Sequence, residues 1–165
     1  MMSLTHAAIA IAVVSCGVGT ADPVVLAVAG LSSQLPDIDT TKSYTGLVFY
    51  PIAKWIEGRY AHRTITHSFI ASTIVAAIAL PAFFWIDLNY YLAIVLGYTM
   101  GWFSDVFTKT GVAAFYPKTS RLVIPGNPNA RLRTGSPAEY WLLAVAIANV
   151  IISCNLISNG SISIR

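Results

Sequence analysis

Long stretches without a charged residue alternate with short polar segments along this chain. The four longest run over residues 7–21, 68–86, 88–104 and 140–164. The hydrocarbon of a bilayer is about 30 Å thick and is crossed by roughly 20 helical residues. A fifth run, residues 23–36, is shorter, and among a tilted helix, a re-entrant element and the return arm of a helical hairpin we favour the hairpin. The pattern predicts an all-α fold, a polytopic membrane helical bundle of about four to five hydrophobic helices, as a single domain over residues 1–165.

Local signals place the ends of several elements. Asp22 followed by Pro23 is typical of a capped helix with proline in its first turn. Pro81 is expected to kink the helix of residues 68–86, because proline removes a backbone donor. Residues 52–57 mix apolar and charged side chains, which predicts a short helix at the membrane interface.

The composition fits a membrane protein, because 56% of the residues are hydrophobic and 10% are charged, against ~25% charged in ordinary soluble domains. The net charge of +3 comes from basic residues grouped in two polar loops, and they form no nucleic-acid face. The basic residues are Lys42, Lys54, Arg59 and Arg63 in the first loop, and Lys109, Lys118, Arg121, Arg131 and Arg133 in the second, which spans residues 105–138. By the positive-inside rule both loops and the N-terminus are cytoplasmic. The turns near Asp22 and Asp87 then face outward, and a C-terminal hydrophobic helix, about residues 139–158, crosses to the outside.

The two cysteines do not predict a disulfide. Cys16 and Cys154 lie within apolar runs, where a thiol behaves as a small hydrophobe. Residues 19–21 resemble a signal-peptide cleavage site, but no Lys or Arg precedes the first apolar run. We therefore interpret that run as a retained helix.

Histidine and aspartate side chains collect at the predicted cytoplasmic ends of the helices. His6 begins the first helix, Asp37 and Asp39 follow the second, His67 begins the third and Asp105 ends the fourth. Imidazole and carboxylate are the ligands expected for zinc or manganese, and a catalytic ion with an open coordination position activates water and polarises a phosphoryl oxygen. The convergence predicts a divalent metal site, with zinc preferred to manganese.

His62 is a further candidate ligand, but it cannot share a helical face with His67. Five residues at ~100° each leave the two side chains about 140° apart. We expect Thr64 or Thr66 to cap the helix, with His62 in the loop before it and His67 in its first turn.

Charge pairing offers a metal-free alternative at the same face. A carboxylate such as Asp105, after a long apolar run, is costly unless paired, and Arg63 or Lys109 could neutralise it without a metal. Arg63, Arg131 and Arg133 are candidates for holding a substrate phosphate by bidentate hydrogen bonds. Arg131 and Arg133 equally suit a general attraction to anionic lipid.

Three linked motifs carry a family resemblance. They are Leu35-Pro36-Asp37-Ile38-Asp39, the segment His62-Arg63 with Thr66-His67-Ser68, and Gly97-Tyr98 leading to Asp105 and to Thr108, Gly111, Tyr116 and Pro117. In their order and spacing, over about residues 4–118, they resemble the YdjM family, which is described as LexA-regulated or LexA-binding metal-dependent hydrolases of the bacterial inner membrane.

The resemblance implies a fold distantly similar to zinc-dependent phospholipase C and the S1/P1-type nucleases, which cleave phosphoesters with clustered metal ions. It points to His6, Asp37, His62, His67 and Asp105 as candidate metal ligands, with Asp39 in a supporting or ligand role. Among these residues we expect Asp37, His67 and Asp105 to be the catalytic set. An association with LexA follows only from the family description.

Two positions depart from the family pattern. Thr40 stands where the family usually has a histidine after Leu-Pro-Asp-Ile-Asp, and Gly101 stands where a histidine usually precedes the aspartate by one helical turn. The remaining ligands suit one metal better than a cluster. Two hypotheses follow: a metal-dependent hydrolase of a phosphoester such as a phospholipid, and a non-catalytic protein of the same fold that binds lipid or protein. A transporter is disfavoured, because the apolar runs contain almost no charge that would mark an ion path.

Overall fold

The computed structural model describes residues 1–160, which form seven α-helices joined by short turns and one long loop. The helices are α1 (Ser3–Val14), α2 (Pro23–Ser32), α3 (Tyr44–Val48), α4 (Tyr50–Glu57), α5 (Phe69–Ala79), α6 (Leu88–Phe103) and α7 (Pro137–Ser158). The all-α prediction is confirmed for these residues, since they contain isolated β-bridges but no strand. Residues 161–165, which include the end of the fourth apolar run, lie outside the described residues.

Irregular helical turns extend several of the α-helices and carry much of the polar chemistry. A π-turn, Ser15–Gly19, continues α1, and a 3-10 turn, Leu35–Asp39, follows α2. Two further 3-10 turns, Leu80–Phe84 and Ser104–Phe107, continue α5 and α6.

Helix α6 is central to the bundle. It packs against α1, α2 and α5, while α7 packs along α1. Gly97 and Gly101 let α6 approach α2 closely, because a Cβ atom at either position would overlap a backbone carbonyl, that of Ala29 or of Ser33. The predicted hairpin is present as the packed pair α1 and α2.

The helix caps agree with the sequence at one site and differ at another. Asp22 accepts a hydrogen bond from the Val24 N–H at 2.8 Å and caps α2, as predicted. The expected Thr64 or Thr66 cap is wrong: Ser68 caps α5 by accepting from the Ala71 N–H. His67 therefore precedes the helix instead of lying in its first turn, because the Ser68 hydroxyl is the group that reaches the free N–H groups.

The apolar runs of residues 23–36 and 68–86 form shorter regular helices than their lengths predict, α2 (Pro23–Ser32) and α5 (Phe69–Ala79). The predicted kink at Pro81 is instead an end to regular helix, because α5 stops at Ala79 and a 3-10 turn follows. Among residues 1–160, α7 is the one helix that is both long enough and apolar enough to cross a membrane by itself. It matches the C-terminal helix predicted for residues 139–158.

The outer surface of the bundle is apolar. Helix α5 has no buried residue, and Ile74 and Ile78 on it are 52% and 74% exposed. On α7, Trp141 and Val145 are 73% and 63% exposed. Exposed apolar area of this extent suits a surface in contact with lipid.

Polar contacts tie α7 to the first hairpin. The Cys16 thiol lies 2.9 Å from the Ser153 hydroxyl, and the Ser15 hydroxyl lies 3.6 Å from the Cys154 thiol. Both cysteines are free. These contacts fix the register of α7 against the end of α1.

Candidate metal centre

Four separate segments bring His or Asp side chains to one end of the bundle. His6 lies in α1, Asp37 and Asp39 lie in the 3-10 turn after α2, His67 immediately precedes the Ser68 cap of α5, and Asp105 lies in the 3-10 turn after α6. All are buried except Asp37, whose side chain is 18% exposed. The cluster is thus accessible at Asp37.

Asp37, His67 and Asp105 form the tightest group. Each offers one ligand atom, and the three atoms lie within 4.8 Å of one another. His67 Nε2 is 3.4 Å from Asp37 Oδ1 and 3.7 Å from Asp105 Oδ2. Ligands ~2.1 Å from a tetrahedral ion stand about 3.4 Å apart, so these separations suit a shared divalent ion.

Two of these ligand atoms make no hydrogen bond within residues 1–160. His67 Nε2 and Asp105 Oδ2 are buried, and their close polar neighbours are ion-pair contacts, Asp37 Oδ1 at 3.4 Å and Arg63 Nε at 3.0 Å. A buried polar atom without a partner costs free energy, and such atoms are rare in folded proteins. Because both face the space between the three side chains, the donor set fits a metal ion.

Asp39 orients the neighbouring groups. Its Oδ2 lies 3.5 Å from His67 Nδ1, and Thr66 Oγ1 lies 3.0 Å from the same nitrogen. Its Oδ1 lies 2.8 Å from His62 Nδ1, and Oδ2 accepts a hydrogen bond from the Arg63 N–H at 2.8 Å. A carboxylate behind the distal nitrogen of a ligating histidine fixes the ring and its tautomer.

His6 approaches the group from α1. Its Nδ1 lies 2.7 Å from Ser104 Oγ, which leaves Nε2 facing Asp105 Oδ1 at 3.7 Å. Both side chains are almost fully buried. His6 is therefore available as a fourth ligand next to Asp105.

Cationic groups surround Asp105. Arg63 Nη2 donates a hydrogen bond to Oδ1 at 3.0 Å, and Arg63 Nε lies 3.0 Å from Oδ2. The Met1 amino group donates to Oδ1 at 2.6 Å. The buried carboxylate is thus neutralised by ion pairs. The sequence predicted that Arg63 could neutralise Asp105 without a metal, and Arg63 does contact it.

Arg63 is held in an uncommon backbone conformation. Its φ of 63° lies in the left-handed region, which costs a non-glycine residue free energy. The bond from its N–H to Asp39 and the bond from the Ala113 N–H to its carbonyl, at 3.0 Å, keep it there. Backbone strain of this kind is concentrated at functional sites.

The carboxylates shift the protonation of His67. Burial disfavours the charged imidazolium, but the close carboxylates of Asp37 and Asp39, at 3.4 Å and 3.5 Å, outweigh it and raise the pKa of His67 to about 9. Burial likewise opposes ionisation of the two aspartates, but His67, with His62 beside Asp39, lowers the pKa of both below the ordinary value. The metal-free cluster therefore holds His67 as an imidazolium between carboxylates at neutral pH.

Comparison with known sequences places the chain in a family. The family model described as YdjM inner membrane protein matches residues 1–162. The chain belongs to the YdjM family of inner membrane proteins.

Individual relatives agree with the YdjM family model. The YdjM inner membrane protein of Escherichia coli is 33% identical over 98 residues, which cover 58% of this chain and 50% of that protein. The uncharacterized protein YvsG of Bacillus subtilis is 30% identical over 127 residues, or 74% of each chain. No solved structure matches this chain.

In this YdjM-family protein the fold brings most of the predicted site residues together and leaves a few apart. His6, Asp37, Asp39, His67, Asp105 and Arg63 all lie in the cluster. His62 lies at its edge, 46% exposed and in contact with Asp39. Arg131 donates to the carbonyls of Pro125 and Gly126 within its own loop, whereas Arg133 lines a cleft beside Arg63.

Several groups at the YdjM-family site were not predicted. Ser104 holds His6, and Thr108 and Thr110 accept hydrogen bonds from Arg63 Nη1 at 3.2 Å and 2.5 Å. Arg121 donates to the carbonyl of His62. Hydroxyl residues are common in turns, so the available signals were the position of Ser104 next to Asp105 and the place of Thr108 in the third motif.

Proposed function

We propose that this protein is a membrane-bound metal-dependent hydrolase that cleaves a phosphoester, such as that of a phospholipid, at the cytoplasmic face of the inner membrane. The observation that carries the proposal is the pair of buried ligand atoms that make no hydrogen bond, His67 Nε2 and Asp105 Oδ2, beside the partly exposed Asp37. In a purely structural cluster we expect such buried atoms to be hydrogen-bonded.

Asp37, His67 and Asp105 would hold the ion, with His6 as the fourth candidate. Zinc is the preferred ion, since imidazole and carboxylate ligands in this number are typical of catalytic zinc. When bound, such an ion supplies Lewis acidity and lowers the pKa of water toward ~7.

The side chains of this protein would perform the remaining tasks. Asp39 orients His67, and Ser104 orients His6, so that both rings present Nε2 to the site. Arg63 is suited to offset negative charge on a phosphate, because its guanidinium is close to Asp105 and its side chain lines an open cleft. In the reaction the oxygen of water bonds to phosphorus, the ester P–O bond breaks, and the departing oxygen takes a proton.

A polytopic arrangement accompanies this proposal. The apolar outer faces of α5 and α7 support helices that lie in lipid, and the polar cluster with its basic loops supports a cytoplasmic position by the positive-inside rule. The N-terminus would then be cytoplasmic, and the turns at Asp22 and Asp87 would face outward. Distant similarity to zinc-dependent phospholipase C and the S1/P1-type nucleases is part of the same proposal.

A second candidate is a non-catalytic membrane protein that binds lipid or protein. The observation that favours it is the contact of Arg63 with both oxygens of Asp105, because a buried carboxylate that is already paired needs no metal. In this case the cluster would hold α1, α2, α5 and α6 together at one end.

Metal content decides between the two. The protein would be purified in detergent, reconstituted with zinc or manganese, freed of excess ion and assayed by elemental analysis. We expect about one ion per chain in the wild type, as one four-ligand site allows, and loss of it in Asp37→Asn, His67→Gln and Asp105→Asn. Glu57→Gln, which changes an exposed acid elsewhere, is the matched control.

His62→Gln sharpens the assignment. His62 touches Asp39 but none of the three closest ligand atoms, so this variant should retain the ion. A metal-loaded wild type that hydrolyses bis(4-nitrophenyl) phosphate, with loss of activity in the three variants, supports the hydrolase. A folded wild type that takes up no ion overturns it and leaves the second candidate.

A further inference from the structure

Two paired segments divide the space next to Asp105 into an apolar and a cationic part. The Leu132 N–H donates to the Phe107 carbonyl at 2.9 Å, and the Lys109 N–H donates to the Leu132 carbonyl at 3.1 Å. Phe107 and Leu132 line an apolar cavity, while Lys109, Arg133 and again Leu132 line a cleft.

The apolar cavity has a volume of about 430 Å³. It lies between Met100 and Phe103 of α6 and Leu142 of α7, with Phe107 and Leu132 at one end. Ser104 is the one hydroxyl among the residues that line it. Helix α7, whose outer face is apolar, forms one wall of this cavity through Leu142, so a hydrocarbon chain from the bilayer would reach the cavity along an apolar surface.

The cationic cleft has a volume of about 320 Å³. Arg63, Lys109 and Arg133 contribute positive charge, three threonines contribute hydroxyls, and no carboxylate lines it. Within residues 1–160, the side chains of Lys109 and Arg133 form no ion pair or hydrogen bond, and both are exposed. Free cations and hydroxyls around one cleft recognise a phosphate group.

The cavity and the cleft meet at the candidate metal centre. Ser104, which lines the cavity, contacts His6, and Arg63, which lines the cleft, contacts Asp105. Leu132 lines both spaces. A molecule that filled both would therefore place the junction of its apolar and anionic parts beside Asp105.

We infer that this pair of spaces is a binding site for one anionic phospholipid, with an acyl chain in the apolar cavity and the headgroup phosphate between Lys109 and Arg133. Charge complementarity selects an anionic lipid, and the adjoining apolar cavity selects a lipid over free phosphate. The binding of this lipid is independent of the proposed hydrolase function. Its role as the substrate rests on that function.

Lipid retention tests the site. The full-length protein, treated with chelator so that no hydrolysis occurs, would be titrated in detergent with dioleoyl phosphatidylglycerol or dioleoyl phosphatidylcholine and followed by native mass spectrometry. We expect one phosphatidylglycerol to be retained in preference to phosphatidylcholine. Glycerol phosphate, which has a headgroup phosphate but no acyl chain, should not displace it at equal concentration.

Matched variants separate the site from general attraction. Lys109→Gln with Arg133→Gln should weaken retention at least tenfold, whereas Lys42→Gln with Lys118→Gln, which removes the same charge from exposed positions elsewhere, should not. Ala130→Trp, at the cavity wall, should weaken retention similarly, and Ile74→Trp on the outer face of α5 should leave it unchanged.

The outcomes are decisive in both directions. Equal losses in the two charge pairs would mean general electrostatic attraction and would overturn the site, as would retention unaffected by Ala130→Trp. Lipid retained by chelated protein that never takes up metal would support the site while refuting the hydrolase. Metal uptake without selective lipid retention would support the metal centre and refute the lipid site.

Discussion

Arg63 Nη2 and Nε each lie 3.0 Å from one oxygen of the Asp105 carboxylate, and this carboxylate is fully buried. The pair links the loop before α5 to the turn after α6. It neutralises a charge that the interior could not otherwise hold, and it leaves Asp105 Oδ2 without a hydrogen bond on the side of His67. Asp105 thus has two roles: its ion pair with Arg63 stabilises the fold, and it is a candidate metal ligand.

Arg63→Gln should destabilise the protein, because it leaves Asp105 buried without its main counter-charge. Removing one partner of a buried pair costs about 3–5 kcal/mol. Thermal unfolding in detergent would measure the loss. Zinc should restore part of the lost stability in Arg63→Gln, since a bound cation replaces the guanidinium charge, but not in the double variant Arg63→Gln with Asp105→Asn. Equal response of both variants to zinc would contradict a metal at Asp105.

Metal affinity should rise with pH. The pKa of His67 is raised to about 9, and an imidazolium cannot ligate, so each pH unit below that value should weaken the apparent affinity about tenfold. Calorimetric titration with zinc at pH 6 to 8, in buffers of different ionisation enthalpy, would count the released proton. His62→Gln should show the same slope, and a flat profile would exclude His67 as a ligand.

Stability of the metal-free protein should respond to pH in the opposite direction. The folded-state pKa of His67 lies above its ordinary value of 6.5, so the ionised ring stabilises the fold fully below about pH 6.5. That stabilisation is lost as the pH rises through about 9. Thermal unfolding of chelated protein between pH 6 and 9.5 would measure it, and His67→Gln should make the dependence shallower over this range.

Asp39→Asn should weaken metal binding without removing a ligand. Asp39 touches His67 Nδ1, His62 Nδ1 and the Arg63 N–H, so its substitution frees the ring that it orients. Loss of such an outer partner typically lowers metal affinity by a factor of about 10–100, and we expect a loss in that range for Asp39→Asn. Metal titration would show reduced affinity with unchanged stoichiometry; loss of the ion altogether would make Asp39 a ligand.

Gly101→Ala should destabilise the bundle. A Cβ atom there would overlap the Ser33 carbonyl, so α2 and α6 would have to separate, at a cost of about 1–3 kcal/mol. Gly17→Ala is the matched control, because no atom lies within 4 Å of its added Cβ. Thermal unfolding of both variants would test the contact, and equal melting temperatures would contradict the close approach.

Much of the fold could be predicted from the sequence because it rests on local patterns. Charge-free runs indicated the principal helices, the Asp22-Pro23 pair indicated the start of α2, and the amphipathic residues 52–57 indicated α4, which spans Tyr50–Glu57. Helix ends were harder. Ser68 and Thr66 are chemically similar caps, and only the three-dimensional course of the chain decides which hydroxyl reaches a free N–H.

The sequence predicted which residues form the candidate site but not all of their roles. The positions of His6, Asp37, His67 and Asp105 at helix ends follow from the order of polar and apolar residues. The roles of Asp39 and Arg63 depend on distances across the chain, such as 2.8 Å between Asp39 and the Arg63 N–H, which no spacing along the sequence encodes. The cavity behind Leu132 likewise arises from a loop whose course is irregular.

Every candidate ligand lies at one end of the helices, and the opposite end consists of the turns at Asp22 and Asp87, which contribute nothing to the cluster. Residues can thus be gained or lost at those distal turns without moving a single ligand. Under the polytopic arrangement proposed above, relatives with longer or shorter distal turns would suit bilayers of different thickness, while the polar end keeps one geometry.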